Sequence, residues 1–179
     1  METHDVGVRW TAFPLHPNTP VDGLTLEELF EGRGINIPEI MDRLKRVAQE
    51  EGLPFGRRER TYNSRLAQEL GKWAESKERG NPFHKAAFHA YFADGINIAR
   101  IQNLVDLAVD IGLSGQEAQE VLEKRVFKDA VDSDWARSRE MGITAVPTFI
   151  INGKAVVGAQ PYAVLERFLM ENQVRKRPF

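Results

Sequence analysis

The sequence predicts an α/β fold in which a large all-helical block is set between strands. Three observations carry that prediction. Residues 6–13 alternate, with Val6, Val8 and Trp10 to one side and Arg9, Thr11 and Phe13 to the other, which is the period of a strand. From Thr25 to Met141 the apolar residues instead recur at helical spacing. After that, "TFIIN", a turn at Gly153 and "AVVGA" precede a helix that starts at Pro161. Strand, many helices, then strand–turn–strand–helix is an α/β order rather than that of an all-α bundle.

Each element has its own local warrant. Pro14 and Pro17 end the first strand. Thr25 with Glu28 forms a capping box ahead of "LEELF". Pro38 suits the first turn of the helix through "EIMDRLKRVAQEEG", in which Ile40, Leu44 and Val47 make an apolar stripe and Gly52 a stop. In "NSRLAQELGKWAESKERG", Asn63 is the expected N-cap and Gly80 the end. "PFHKAAFHAYFADG" and "ARIQNLVDLAVDIG" are amphipathic, and Phe83, Phe88, Tyr91 and Phe92 read as core. Ser114 with Glu117 is a second capping box. A last helix of the block runs from Phe127 to Met141 and stops at Gly142; the closing helix reaches Asn172, and "VRKRPF" is expected to fray. No repeat, low-complexity tract or linker marks an edge of the helical block, so a single domain over 1–179 is expected.

Composition narrows the chemistry. The formal net charge is −2, which suggests neither a nucleic acid nor an anionic membrane surface as partner. The chain has no cysteine, so disulfides, thiolate metal sites and thiol catalysis are excluded for its own residues. No apolar run is long enough for a membrane span, and Met1–Trp10 lacks the basic and apolar regions of a signal peptide, so a cytoplasmic location is expected. The histidines His4, His16, His84 and His89 show no metal-ligand spacing, and no metal is expected. Glu27–Glu28 and Glu50–Glu51 read as solvated helix faces. "RRERTYNSR" reads as a solvated basic loop, with attraction of an anionic ligand near Asn63 as the alternative.

The stretch "GITAVPTFIINGKAVVGAQP", residues 142–161, is the most informative. Proline restricts Val146 to extended backbone, and Pro147 has no N–H for a ladder, so the dipeptide alone reads as a strand start with either peptide isomer open. As a whole the stretch resembles the cis-proline segment of the DsbA-like thioredoxin superfamily, in the cytoplasmic branch that holds FrnE-type oxidoreductases and 2-hydroxychromene-2-carboxylate isomerases. Gly142, Thr144, Val146, Pro147, Thr148, Phe149, Gly153 and the ending Gly158-Ala159-Gln160-Pro161 carry the match. "VRWTAFPLHPNTP", "EEGLPF", "NS" and "AFHAYFADGINI" are similar to successive upstream marks of the same branch, so the resemblance runs from Val6 to Asn172.

That resemblance implies a thioredoxin-like fold, with 1–24 and 138–179 as its thioredoxin part and 25–137 as a helical insertion. It implies a cis Val146–Pro147 bond and thiol–disulfide oxidoreductase activity on peptides or proteins. Val146, Pro147 and Thr148 would form the substrate edge, and Asn63, Gly158 and Ala159 a cleft for peptide or glutathione. No bound cofactor is implied; glutathione enters as a substrate or co-substrate. In the family a first strand and a first helix precede "VRWTAF", and the helix opens with Cys-X-X-Cys, or with serine in the glutathione-dependent isomerases. Here the sequence begins after that point. The expectation is a truncated gene or an internal start, and a chain inactive alone. A non-catalytic binding module and a glutathione-dependent isomerase are the alternatives; "GAQP" favours the oxidoreductase branch over the isomerases. Without the first strand, Val6, Val8, Trp10, Phe149 and Ile151 should gain water contact. A homodimer joined by strands is the expected compensation, with direct pairing of "VGVRWTAF" and "TFIIN" as the alternative.

Overall fold

The computed structural model describes residues 4–177. They form two compact units, divided after Leu15 and after Asp132.

In the unit of residues 16–132, a two-residue ladder comes first: β1 (Leu24–Thr25) pairs antiparallel with β2 (Arg60–Thr61). α1 (Leu26–Leu29) starts at the expected box. Glu28 N–H donates to Thr25 Oγ1 at 3.1 Å, and Thr25 N–H donates to the Glu28 carboxylate at 2.7 Å. α2 (Ile37–Glu50) has Asn36 as N-cap and Pro38 in its first turn, and none of its residues is buried. α3 (Arg65–Ser76), α4 (Gly80–Phe92), α5 (Ile101–Asp110) and α6 (Gly115–Glu123) enclose the core, where Leu70, Phe83, Leu104, Ala108, Ala118 and Leu122 are fully buried.

Four expectations need correction here. Gly80 opens α4 instead of closing α3. The turn between them is made by Glu78 at φ 59°, and a Cβ on Gly80 would lie 2.7 Å from Glu75 Cγ. The N-cap position of α3 falls on Ser64, which makes no side-chain cap bond; the capping acceptor is still Asn63, one residue earlier, whose Oδ1 accepts from Arg65 N–H at 2.9 Å. Ser114 does cap α6, accepting from Glu117 N–H at 3.2 Å, but the Glu117 carboxylate accepts from Lys77 Nζ at 2.7 Å, so the second box is half formed. Phe83 is core, whereas Phe88 is 49% exposed on the same helix, because helical spacing does not say which flank of a stripe is covered.

In the unit of residues 4–15 and 133–177, α7 (Lys128–Glu140) crosses the division and ends before Gly142, at φ 67°. β3 (Thr148–Ile151) and β4 (Lys154–Val157) form an antiparallel hairpin through Asn152 and Gly153, whose φ values of 51° and 77° suit a tight two-residue turn. α8 (Tyr162–Glu171) follows Pro161.

The strand expected over residues 6–13 is not formed, nor is its direct pairing with "TFIIN"; β3 has β4 as its ladder partner. A strand exists only with a partner, and here side chains hold the segment instead. Asp134, 4% exposed, accepts from Ala12 N–H at 2.9 Å, and the Ser138 hydroxyl donates to Ala12 O at 3.4 Å. Val6, Val8, Trp10 and Phe149 are exposed as expected, while Ile151 stays half-buried. The start of the tail is tied rather than frayed: His4 bridges to Lys176, and Asp5 N–H donates to Arg175 O at 2.9 Å. Pro178 and Phe179 lie outside the described residues.

Asp134→Ala should cost about 1–3 kcal/mol, because it strands the Ala12 N–H. Asp134→Asn, which keeps an acceptor, should cost less. Amide hydrogen exchange at Ala12 checks both: fast in the alanine variant and slow in the asparagine variant. Among the described residues no helix is long and apolar enough to cross a membrane.

Candidate functional site

The Val146–Pro147 peptide bond is cis. The chain reaches it from Gly142 through a bend that Thr148 closes, its hydroxyl donating to Ala145 O at 2.6 Å. Pro147 O accepts from Gly158 N–H at 2.7 Å. That bond extends the ladder, whose register is Thr148↔Val157, Phe149↔Val156, Ile150↔Ala155 and Ile151↔Lys154. Bonded and non-bonded pairs alternate in an antiparallel ladder. With Pro147–Gly158 bonded, Phe149–Val156 and Ile151–Lys154 are the next bonded pairs.

Thr148 and Ile150 therefore turn their main-chain N–H and C=O groups away from β4. Among the described residues that outer edge has no strand partner, and the Val146 main chain forms no hydrogen bond. Val146 and Phe149 are 43% and 42% exposed. The edge is thus a short row of main-chain donors and acceptors at positions 146, 148 and 150 with apolar side chains around it. It can bind an extended main chain. It holds no side chain able to attack a disulfide, and the Thr148 hydroxyl is already engaged.

The hairpin brings Val146, Pro147, Thr148 and Gly158 together, with Ala159 adjacent in sequence. Gly158, at φ 89°, makes the exit turn, and Gln160 Nε2 donates to Val157 O across it at 2.8 Å. Asn63 belongs to the other unit. Its Oδ1 accepts from Arg65 N–H at 2.9 Å, and its Nδ2 donates to Pro17 O at 3.0 Å and Thr19 O at 2.9 Å. Ile150 was missed by sequence reading; the signal was its two-residue spacing from Thr148 along the edge.

Ionisable groups elsewhere serve structure. Burial, with the nearby guanidinium groups of Arg33 and Arg58, holds His16 below the ordinary histidine value. Glu69, 1% exposed, is gripped by Arg65 and by Arg125 at 2.6 and 2.7 Å. Among the described residues no group of three His, Asp or Glu side chains is placed to hold a metal ion.

A sequence model of the DSBA-like thioredoxin domain family matches residues 2–170. The uncharacterised protein YwbO of Bacillus subtilis is 33% identical over 112 residues, which is 62% of this chain and 56% of that protein, so the chain spans about half of that relative. The crystal structure of a probable DsbA oxidoreductase from Streptomyces coelicolor superposes with a TM-score of 0.84 at 27% identity, covering 94% of this chain and 76% of that one. A 2-hydroxychromene-2-carboxylate isomerase shares the fold with a TM-score of 0.67 at 18% identity, over 75% of this chain and 66% of the other. The cytosolic disulfide reductase DsbM of Pseudomonas aeruginosa, solved with GSH, shares it with a TM-score of 0.54 at 20% identity, over 84% and 76%.

Proposed function

The chain belongs to the DSBA-like thioredoxin domain family, and from that premise we propose that it supplies the substrate-binding edge of a thiol–disulfide oxidoreductase without performing the exchange through its own residues. The observation that carries this reading is the open edge at Val146, Thr148 and Ile150. An extended peptide adds to such an edge as a further strand, with main-chain bonds giving affinity. Exchange itself is attack by a thiolate on a disulfide sulfur, and the chain has no cysteine.

Peptide or protein disulfides and thiols are the substrate class, in the cytoplasm. Glutathione is a substrate of the same shape. Its cysteinyl main chain would pair at Val146, and its γ-glutamyl carboxylate would lie towards Gly158, Ala159 and the N-terminus of α8. Asn63 enters this reading as the clamp on Pro17 and Thr19. The chain is further proposed to associate with a second copy of itself.

Insulin reduction by dithiothreitol tests the catalytic half. The purified chain should add nothing to the uncatalysed rate, and turnover above it in a thioredoxin-free preparation would overturn the reading. For the binding half, glutathione should shift the amide resonances of Val146, Thr148 and Ile150; unmoved signals at millimolar ligand would remove the edge from the proposal.

A further inference from the structure

We infer that the exposed apolar seam of α2 pairs with the same helix of a second copy, antiparallel, and that Arg43 and Glu50 set the register. This rests on the reading that the chain self-associates, and names the surface.

The seam is written in a heptad. Ile37 and Leu44 stand at a, Ile40 and Val47 at d, Met41 and Ala48 at e, Arg43 and Glu50 at g. No residue of the helix is buried, and Leu44 and Val47 are 37% and 48% exposed. The cleft between α2 and residues 55–59 involves Ile37, Pro38, Met41, Asp42 and Lys45. It therefore leaves Ile40, Leu44 and Val47 outside.

An apolar seam alone would accept many partners; the charges select one. In an antiparallel pair, a positions face d positions and g faces g. Placing Leu44 opposite Val47 of the second copy brings Arg43 to Glu50 of that copy, and symmetry repeats the pair; the apolar contact is then Leu44 with Val47 twice over, with Ile40 at its end and Ile37 beyond it. On the other flank, Met41 meets Ala48, a long side chain against a short one. A parallel pair would instead set Arg43 against Ala48 and forfeit both ion pairs. Antiparallel packing also opposes the two helix dipoles. Arg43 and Glu50 are exposed, and among the described residues neither forms an ion pair within its own chain. A helix of this length is about 21 Å long, and two such helices bury less than the roughly 1,200 Å² of a standard stable interface. The dimer should accordingly be a weak one.

Sedimentation equilibrium on the full chain, from about 1 to 100 µM, tests this. Arg43→Glu and Glu50→Arg should each weaken the dimer about tenfold, since each sets like charges against each other. Combining the two should restore affinity to within about threefold of the original. Circular dichroism should show unchanged helix content throughout. A monomeric wild type at the highest concentration overturns this inference and self-association together. A dimer indifferent to the single reversals, or a double variant as weak as the singles, overturns the α2 surface alone and leaves association to another face.

Discussion

Glu69→Ala is expected to lower the unfolding free energy by about 4 kcal/mol, the scale of breaking a buried ion pair from one side. The carboxylate sits on α3 at 1% exposure and binds two guanidinium groups. Removing it leaves Arg125 without its carboxylate and Arg65 with that of Asp132. The melting temperature should fall by about 12 °C for a domain of this size, and urea denaturation at pH 7 measures the free energy directly. The same cluster governs acid stability. Burial pushes the Glu69 carboxyl up, but the hydrogen bonds and charges of Arg125 and Arg65 outweigh it and hold the group below the ordinary carboxylate value. Lys128, then Arg65, bring Asp132 down to about 2. Both carboxyls are thus more acidic folded than unfolded. Their contribution is complete above the ordinary carboxylate range, near pH 4.5, and is lost as pH falls towards 2. The Glu69→Ala variant should show a shallower loss of stability across that window than the wild type.

Gly56→Ala should cost about 3 kcal/mol, at the upper end of overpacking penalties. The chain crosses the end of α4 there, with Gly56 N–H donating to Phe92 O at 2.9 Å. A Cβ would fall 1.9 Å from Ala93 O and 2.9 Å from Ala93 C, and both obstacles are backbone. Gly142→Ala is the control. A Cβ there meets nothing within 4 Å, so only its φ of 67° is penalised, at about 1 kcal/mol. Thermal melts of the two variants should differ by several degrees. Equal melts would show that the crossing at Gly56 can open.

What was legible in the sequence was local chemistry. The Thr25–Glu28 box, Pro38 at a helix start and the Asn152–Gly153 turn each satisfy their own backbone within four residues, so no distant information is needed. The hairpin motif likewise located Val146–Thr148. What was not legible depends on partners far along the chain. Alternation over residues 6–13 states a preference for strand, but not whether a ladder exists to receive it. Asn63 accepts from the first turn of α3 as a capping residue would, but the sequence does not show that its Nδ2 also binds carbonyls more than forty residues away. Arg65 and Glu69 have the spacing of a solvated surface pair; only the packing of Arg125 onto α3 turns them into a buried cluster. At the edge of β3, the motif marks Val146 and Thr148, and the register adds Ile150.

The head of α3 has a consequence for assembly order. Asn63 holds Pro17 and Thr19, and Arg65, two residues on, holds the Lys128 carbonyl and the Asp132 carboxylate. Both ends of the stretch His16–Asp132 are thereby pinned to one helical turn. The other unit is built from two chain pieces that this stretch separates. Were the stretch a random coil, bringing those pieces together would cost on the order of 4 kcal/mol in closure entropy from its length alone. Folded, it spans the gap as a rigid clasp whose two exits are already neighbours. The helices, rich in short-range contacts, are therefore the part to form first. Asp134 and the segment before Leu15 then meet over a gap that has lost most of its freedom.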